Sequence, residues 1–175
     1  MEKFFFSGSH SCKLDEKNRF VLPQAMRFGL VEAGKLEFTL GLGVNGCLSI
    51  YRKSDMESLV EKFSPHVHTP SLRKFFTLFF SSLHTITCDK LGRVLLPPLL
   101  KQAAKIESEI VVAGVLDRIE IWSQESYSSQ VLSFMDGSSD ELAALSQEAF
   151  SLLDPTPRQS ENADSAGLDA QRPYA

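Results

Sequence analysis

The sequence predicts an α+β fold built from two internal repeats. A decapeptide recurs first of all: LDEKNRFVLP at 14–23 returns as CDKLGRVLLP at 88–97, with Asp15 and Asp89, Arg19 and Arg93, Leu22 and Leu96, and Pro23 and Pro97 matching at an offset of 74 residues. Each copy is then followed by the same order of patterns, a short strand, a helix, a strand, a turn and a returning strand. The chain, at 175 residues and 43% hydrophobic, is also long enough to bury a core without staples.

The first copy reads as follows. Residues 4–13 form a short strand that leads into the repeated turn. FVLP (20–23) is a second strand, stopped by Pro23, which has no N–H to give a ladder. QAMRFGLVEAG (24–34) has helical spacing through Ala25, Met26 and Leu30, with Gly34 as its stop. LEFTLGLG (36–43) is a strand, Asn45-Gly46 a hairpin turn and CLSIY (47–51) the returning strand. In SDMESLVEKF (54–63), Ser54 and Glu57 have the spacing of a capping box.

The second copy repeats the order. RVLLP (93–97) is the strand, PLLKQAAKI (98–106) the helix, EIVVAGVL (109–116) the next strand, Asp117-Arg118 the turn, IEIW (119–122) the return and 123–134 the closing helix. Tyr51 and Trp122 correspond at an offset of 71, which puts a loss of three residues between helix and hairpin. Between the copies, a helix after Pro70 carries Phe75, Phe76, Phe79 and Phe80; its spacing makes one face a core or subunit contact rather than a stacking platform for bases. Leu142, Leu145, Ala149 and Leu152 stripe a last helix. The chain thus divides into a first repeat (7–54), a helical connector (55–82), a second repeat (83–126), C-terminal helices (127–153) and a disordered tail (154–175).

Composition narrows the function. The three cysteines are scattered, without a C-x-x-C pair, and read as reduced thiols rather than a zinc site. The opening MEKFFFSGSH has an apolar run too short for a signal peptide, and no stretch reaches the length of a membrane span. His10, His66, His68 and His84 read as solvated loop residues, and no metal or cofactor is implied. GLGVNG (41–46) lacks the Lys-Ser/Thr ending of a phosphate loop. No spacing suggests a nucleophile with its base or a pair of carboxylates for acid–base work, so an enzyme is not expected, nor a small-molecule substrate. The net charge is −4, yet residues 1–75 hold 11 Lys and Arg against 8 Asp and Glu, so a local basic face can exist under an acidic total.

The turn itself has two readings. A leading Asp accepts hydrogen bonds from amides one or two residues on. Its fourth position is Asn18 in one copy and Gly92 in the other, two residue types that tolerate positive φ. Asp15 and Asp89 would then orient Arg19 and Arg93. The plain reading is a salt bridge that holds a hairpin. The functional reading is a loop that offers arginine's planar fork to phosphate or a base edge. Both can hold together, and duplication suits a repetitive ligand such as duplex DNA.

Through these two turns and their surroundings the chain resembles the MraZ family, bacterial transcriptional regulators of the cell-division and cell-wall gene cluster in the AbrB-like (SpoVT–AbrB) superfamily. The resemblance covers roughly residues 4–135 and rests on the two motifs LDEKNRFVLP and CDKLGRVLLP, their spacing and the Phe-bearing helix between them. It implies a pseudo-symmetric swapped-hairpin β-barrel from two halves of one chain, where AbrB-like proteins use two chains. It also implies a ring-like homo-oligomer, a cytoplasmic and nucleoid-associated location, and binding to double-stranded DNA at promoter repeats. Lys13, Lys17, Arg19, Lys90 and Arg93 are the expected contact group, with Arg27 and Lys101 on the following helices as further phosphate contacts. Leu91 stands where the first copy has Lys17, so the second loop is read as the less basic. The alternative is a protein–protein module of the same fold that no longer binds DNA.

Overall fold

In the computed structural model, residues 4–136 and 139–153 are described; the expected disordered tail, 154–175, lies outside the described residues. The first copy supplies β1 (Ser9–Lys13), β2 (Arg19–Val21), α1 (Gln24–Leu30), β3 (Glu37–Leu42) and β4 (Leu48–Arg52). Next come α2 (Lys53–Phe63), two 3₁₀ turns at Ser64–His66 and Pro70–Leu72, and α3 (Arg73–Ser81). The second copy supplies β5 (His84–Thr87), β6 (Arg93–Leu95), α4 (Pro98–Ala103), β7 (Glu109–Val115) and β8 (Arg118–Ser123). The last elements are α5 (Gln124–Met135) and α6 (Ser139–Ser151). One compact unit runs through Ser133 and a second begins at Phe134.

The fold is α+β with antiparallel strand pairing throughout. Six strands form one sheet in the order β1-β7-β8-β4-β3-β5, and β2 and β6 form a separate two-stranded ribbon. Exchanging the two copies turns that order into its own reverse, so the sheet has a two-fold relation between β4 and β8. Each copy's first strand leaves its own hairpin and pairs with the other's: β1 lies along β7 and β5 along β3. The two repeats therefore cannot be cut apart as domains without breaking three of the sheet's five ladders.

Alternation explains the core. Phe38 and Leu40, Leu48 and Ile50, Ile110 and Val112, and Ile119 and Ile121 are every second residue of their strands and all are buried. The helices close the same core through equivalent residues, Met26 and Leu30 on α1 and Leu100 with Ala104 on and after α4. The N-terminal Phe6 also enters it, and the ring edges of Phe4 and Phe6 lie within 2.3–2.6 Å of where a Cβ on Gly29 would stand, so α1 needs glycine there.

Several elements depart from the expectations. β1 begins at Ser9 rather than residue 4, because Gly8, at φ +79°, separates it from the isolated bridge between Phe6 and Leu116. α1 ends at Leu30, where Val31 turns extended, before Gly34 is reached. Ser54 is not the cap of α2: Arg52 holds that position, and the amide and hydroxyl of Ser54 both donate to the carboxylate of Glu32. The second hairpin turns at Leu116, with φ +57°, and Asp117, while Arg118 already belongs to β8. The three-residue shortening is also divided: Phe38 corresponds to Ile110, an offset of 72, and Arg52 to Ser123, an offset of 71. Two residues are lost between helix and hairpin and one in the hairpin turn. The first hairpin turns as its Asn-Gly pair requires, with φ +58° at Asn45 and +84° at Gly46.

The phenylalanine helix forms a separate cluster. Phe76 and Phe79 are buried, and their rings lie 5.4 and 6.0 Å from that of Phe63 on α2. Its C-terminal end is fixed to the sheet by Ser82, whose hydroxyl accepts the amide of Leu42 at 3.0 Å. His10 and His84 sit on β1 and β5, not in loops.

Candidate nucleic-acid interface

Both repeated turns are built by the same hydrogen bonds. In the first, Asp15 Oδ1 accepts the amides of Lys17 and Arg19, each at 2.9 Å, while Oδ2 accepts Arg19 Nε at 2.9 Å. In the second, Asp89 Oδ1 accepts the amides of Leu91 and Arg93, each at 2.9 Å, and Oδ2 accepts Arg93 Nε at 2.6 Å. The backbone closes each loop: Asp15 N donates to Arg19 O at 2.8 Å and Asp89 N to Arg93 O at 3.0 Å. The fourth residue is left-handed in both, φ +57° at Asn18 and +75° at Gly92. One carboxylate thus ties down two amides and a guanidinium, so the salt-bridge reading of the turn holds in each copy.

The protonation state follows from that geometry. The Arg19 guanidinium on Asp15 holds its carboxyl down at about 2, and the Arg19 and Lys17 amides add to this. Asp89 is likewise lowered, first by the Arg93 amide and then by the Arg93 side chain. Both carboxylates are charged at neutral pH, and each arginine is held by its Nε edge.

The turns lead directly into the ribbon. β2 and β6 pair in register, Arg19 with Leu95, Phe20 with Val94 and Val21 with Arg93. Phe20 and Val94 face the core, so Arg19, Val21, Arg93 and Leu95 share the outer face. The two arginines are diagonal neighbours on it, a separation of roughly 7–8 Å between such positions. Each turn is also locked to the opposite strand: Leu22 N donates to Gly92 O and Leu96 N to Asn18 O, both at 2.9 Å.

The expected second-rank cations come to the turns as well, each from the other copy's helix. Lys101 Nζ on α4 donates to Asn18 Oδ1 at 2.8 Å. The Arg27 guanidinium on α1 lies over Gly92, its Nη1 2.3 Å from where a Cβ on that residue would stand. Glycine suits 92 by its φ, and a side chain there would have to displace the end of Arg27. Lys17 and Lys90 are exposed at the tips. Lys13 is the outlying member: it ends β1, opposite Glu109, with 3.9 Å between their charged ends. The sequence reading missed this cross-copy exchange of cations. The equal offset of Arg27 and Lys101 from their turns was its only available signal.

Among the described residues, no helix is long and apolar enough to cross a membrane. The three cysteines are unpaired.

Comparison with known proteins also finds two copies in the chain. The family model described as "MraZ protein, putative antitoxin-like" matches twice, over residues 5–75 and 79–149. A protein of Clostridium beijerinckii named transcriptional regulator MraZ is 39% identical over 124 residues, covering 70% of this chain and 84% of its own. A protein of the same name from Cytophaga hutchinsonii is 31% identical over 158 residues, covering 89% of this chain and 99% of its own. Another from Clostridium acetobutylicum is 38% identical over 123 residues, covering 70% and 84%.

Proposed function

The chain belongs to the MraZ family, and on that premise we propose that it is a transcriptional regulator that binds double-stranded DNA sequence-specifically through its two Asp–Arg turns. The observation that carries the proposal is the identity of the two turns, which end in arginines set diagonally on the outer face of one ribbon. A two-stranded ribbon fits the major groove, where arginine's fork matches the O6 and N7 acceptors of guanine. Holding the arginine beforehand lowers the rotamer entropy lost on binding.

In this reading Arg19 and Arg93 contact bases, and Asp15 and Asp89 orient them. Asn18 and Gly92 supply the left-handed step. Lys17, Lys90, Arg27, Lys101 and, further out, Lys13 contact phosphates. The interleaved sheet with its ribbon is read as the swapped-hairpin barrel of AbrB-like proteins. A ring-like homo-oligomer on promoter repeats would multiply weak contacts by effective concentration. The target would be a cell-division and cell-wall gene cluster, and the protein would work in the cytoplasm at the nucleoid. It would act as a regulator rather than an enzyme.

The test is an anisotropy titration of the full chain with duplex from upstream of its own gene, against scrambled duplex, at two salt concentrations. Tighter binding to the upstream duplex that weakens steeply with salt is expected. No binding at low salt by the folded chain would contradict the proposal and favour a module that captures proteins.

A further inference from the structure

The outer face of the ribbon carries two residues that neither the salt bridges nor the phosphates explain. Val21 is 51% exposed and Leu95 53%, each standing directly opposite an arginine of the other strand. A short strand with a buried central residue needs nothing apolar on its wet side, and water would be better served by a threonine or lysine there. Here both copies place an aliphatic group at the equivalent position. The four side chains make a square of two kinds: Arg19 beside Leu95, and Arg93 beside Val21.

We propose that Val21 and Leu95 are specificity-determining residues that pack on thymine C5-methyl groups in the major groove, next to the base that each opposing arginine reads. This rests on the DNA-binding reading above and extends it. The chemistry is that of the groove edge: thymine alone among the four bases offers a methyl group there, and apolar side chains read it. The surroundings point to a duplex rather than to an apolar partner surface. Arg19 and Arg93 share that face with the two aliphatic groups, and the turns at its ends bring Lys17, Lys90, Arg27 and Lys101, six cations in all against the three carboxylates of Asp15, Glu16 and Asp89. A face so framed by cations suits a ligand that is anionic at its rim and apolar at points in its floor. The groove of duplex DNA is such a ligand.

The experiment separates this inference from the reading beneath it. Duplexes are enriched from a randomised pool on the full wild-type chain, and each thymine of the winner is replaced singly by deoxyuridine. That change removes the methyl and keeps the base pair. Wild type is expected to lose about fourfold in affinity at one or more thymines next to a guanine, the worth of burying one methyl-sized group. Val21→Ser or Leu95→Ser, with unchanged melting temperature and oligomeric mass, should bind the thymine duplex about fourfold more weakly and no longer distinguish it from the matching deoxyuridine duplex. A winner that wild type binds equally well with every thymine replaced would overturn this inference and leave the DNA reading intact. So would serine variants whose only change is a smaller oligomer, because the face would then be a contact between copies. A pool that shows no enrichment would remove the DNA reading, and this inference with it.

Discussion

The two turns share the hydrogen bonds of their frame and differ at their tips. Asp15 and Asp89 make the same bonds to the second and fourth residues that follow. Between those anchors the first turn carries Glu16, Lys17 and Asn18, and the second Lys90, Leu91 and Gly92. The fourth position shows what constrains it. Asn18 offers its side-chain oxygen to Lys101, whereas Gly92 offers only room for Arg27. A backbone amide needs a carboxylate in one place, so the frame could not diverge. The tip residues point to water and were free to. The basic character of each turn is set partly from outside it, by the other copy's helix. Lys17 has Glu16 beside it, while Lys90 is followed by the neutral Leu91. From Asp to Arg the first turn is therefore neutral and the second carries one net positive charge, so the second loop is not the less basic one expected from Leu91.

Substitution at the fourth position should separate the copies most strongly. Gly92→Ala forces a side chain into left-handed backbone and into the space of Arg27; unfolding in denaturant should show a loss of about 1–2 kcal/mol. Asn18→Gly keeps the backbone comfortable and removes only the acceptor for Lys101, so the same measurement should show a loss below about 1 kcal/mol. Equal losses would mean that the two turns are not packed differently after all.

Tip charges should act on binding and not on stability. Lys17→Leu should lower the slope of log affinity against log salt by about one, and Leu91→Lys should raise it by about one, if each lysine neutralises one phosphate. Melting temperatures should stay put, since both side chains are exposed. An unchanged slope in both variants would move the phosphate contacts off the tips.

The smallest effect is that of pH. The folded carboxyl of Asp15 lies at about 2, below its ordinary value of 3.8. Between those limits the unfolded chain binds a proton and the folded one does not, so acid favours unfolding. The contribution is complete above about pH 4 and disappears as pH falls through about 2. Comparing wild type with Asp15→Asn in thermal melts from pH 5 to 2 should show wild type losing its advantage in that window. Parallel curves would mean that Arg19 does not hold the carboxylate in solution.

How far this was legible in the residues varies with the range of the interaction. The turn is local: an Asp, an Arg four residues on, and Asn or Gly between them dictate the bonds now seen and the positive φ at residues 18 and 92. The Asn45-Gly46 hairpin is local in the same sense. Partnering across the chain is not. Nothing in SHSCK says that it will lie along β7, about a hundred residues away, rather than along its own hairpin. The cap of α2 failed for a related reason. Ser54 and Glu57 have the right spacing, but Glu32, which is distant in sequence, claims Ser54 first. The site residues named from the motif are brought to two turns and one ribbon, apart from Lys13. The role of Arg27 and Lys101 in each other's copy could not be read, because it depends on which helix crosses which turn.

The central claim is that the two guanidinium forks, not merely positive charge, carry recognition. The direct measurement is the discrimination ratio between upstream and scrambled duplex for Arg19→Lys/Arg93→Lys beside wild type, in the same salt. The lysine pair should keep salt-sensitive binding and lose the ratio, by about tenfold or more, because a point charge cannot make a bidentate contact. A lysine pair that remains folded and discriminates as well as wild type would contradict it.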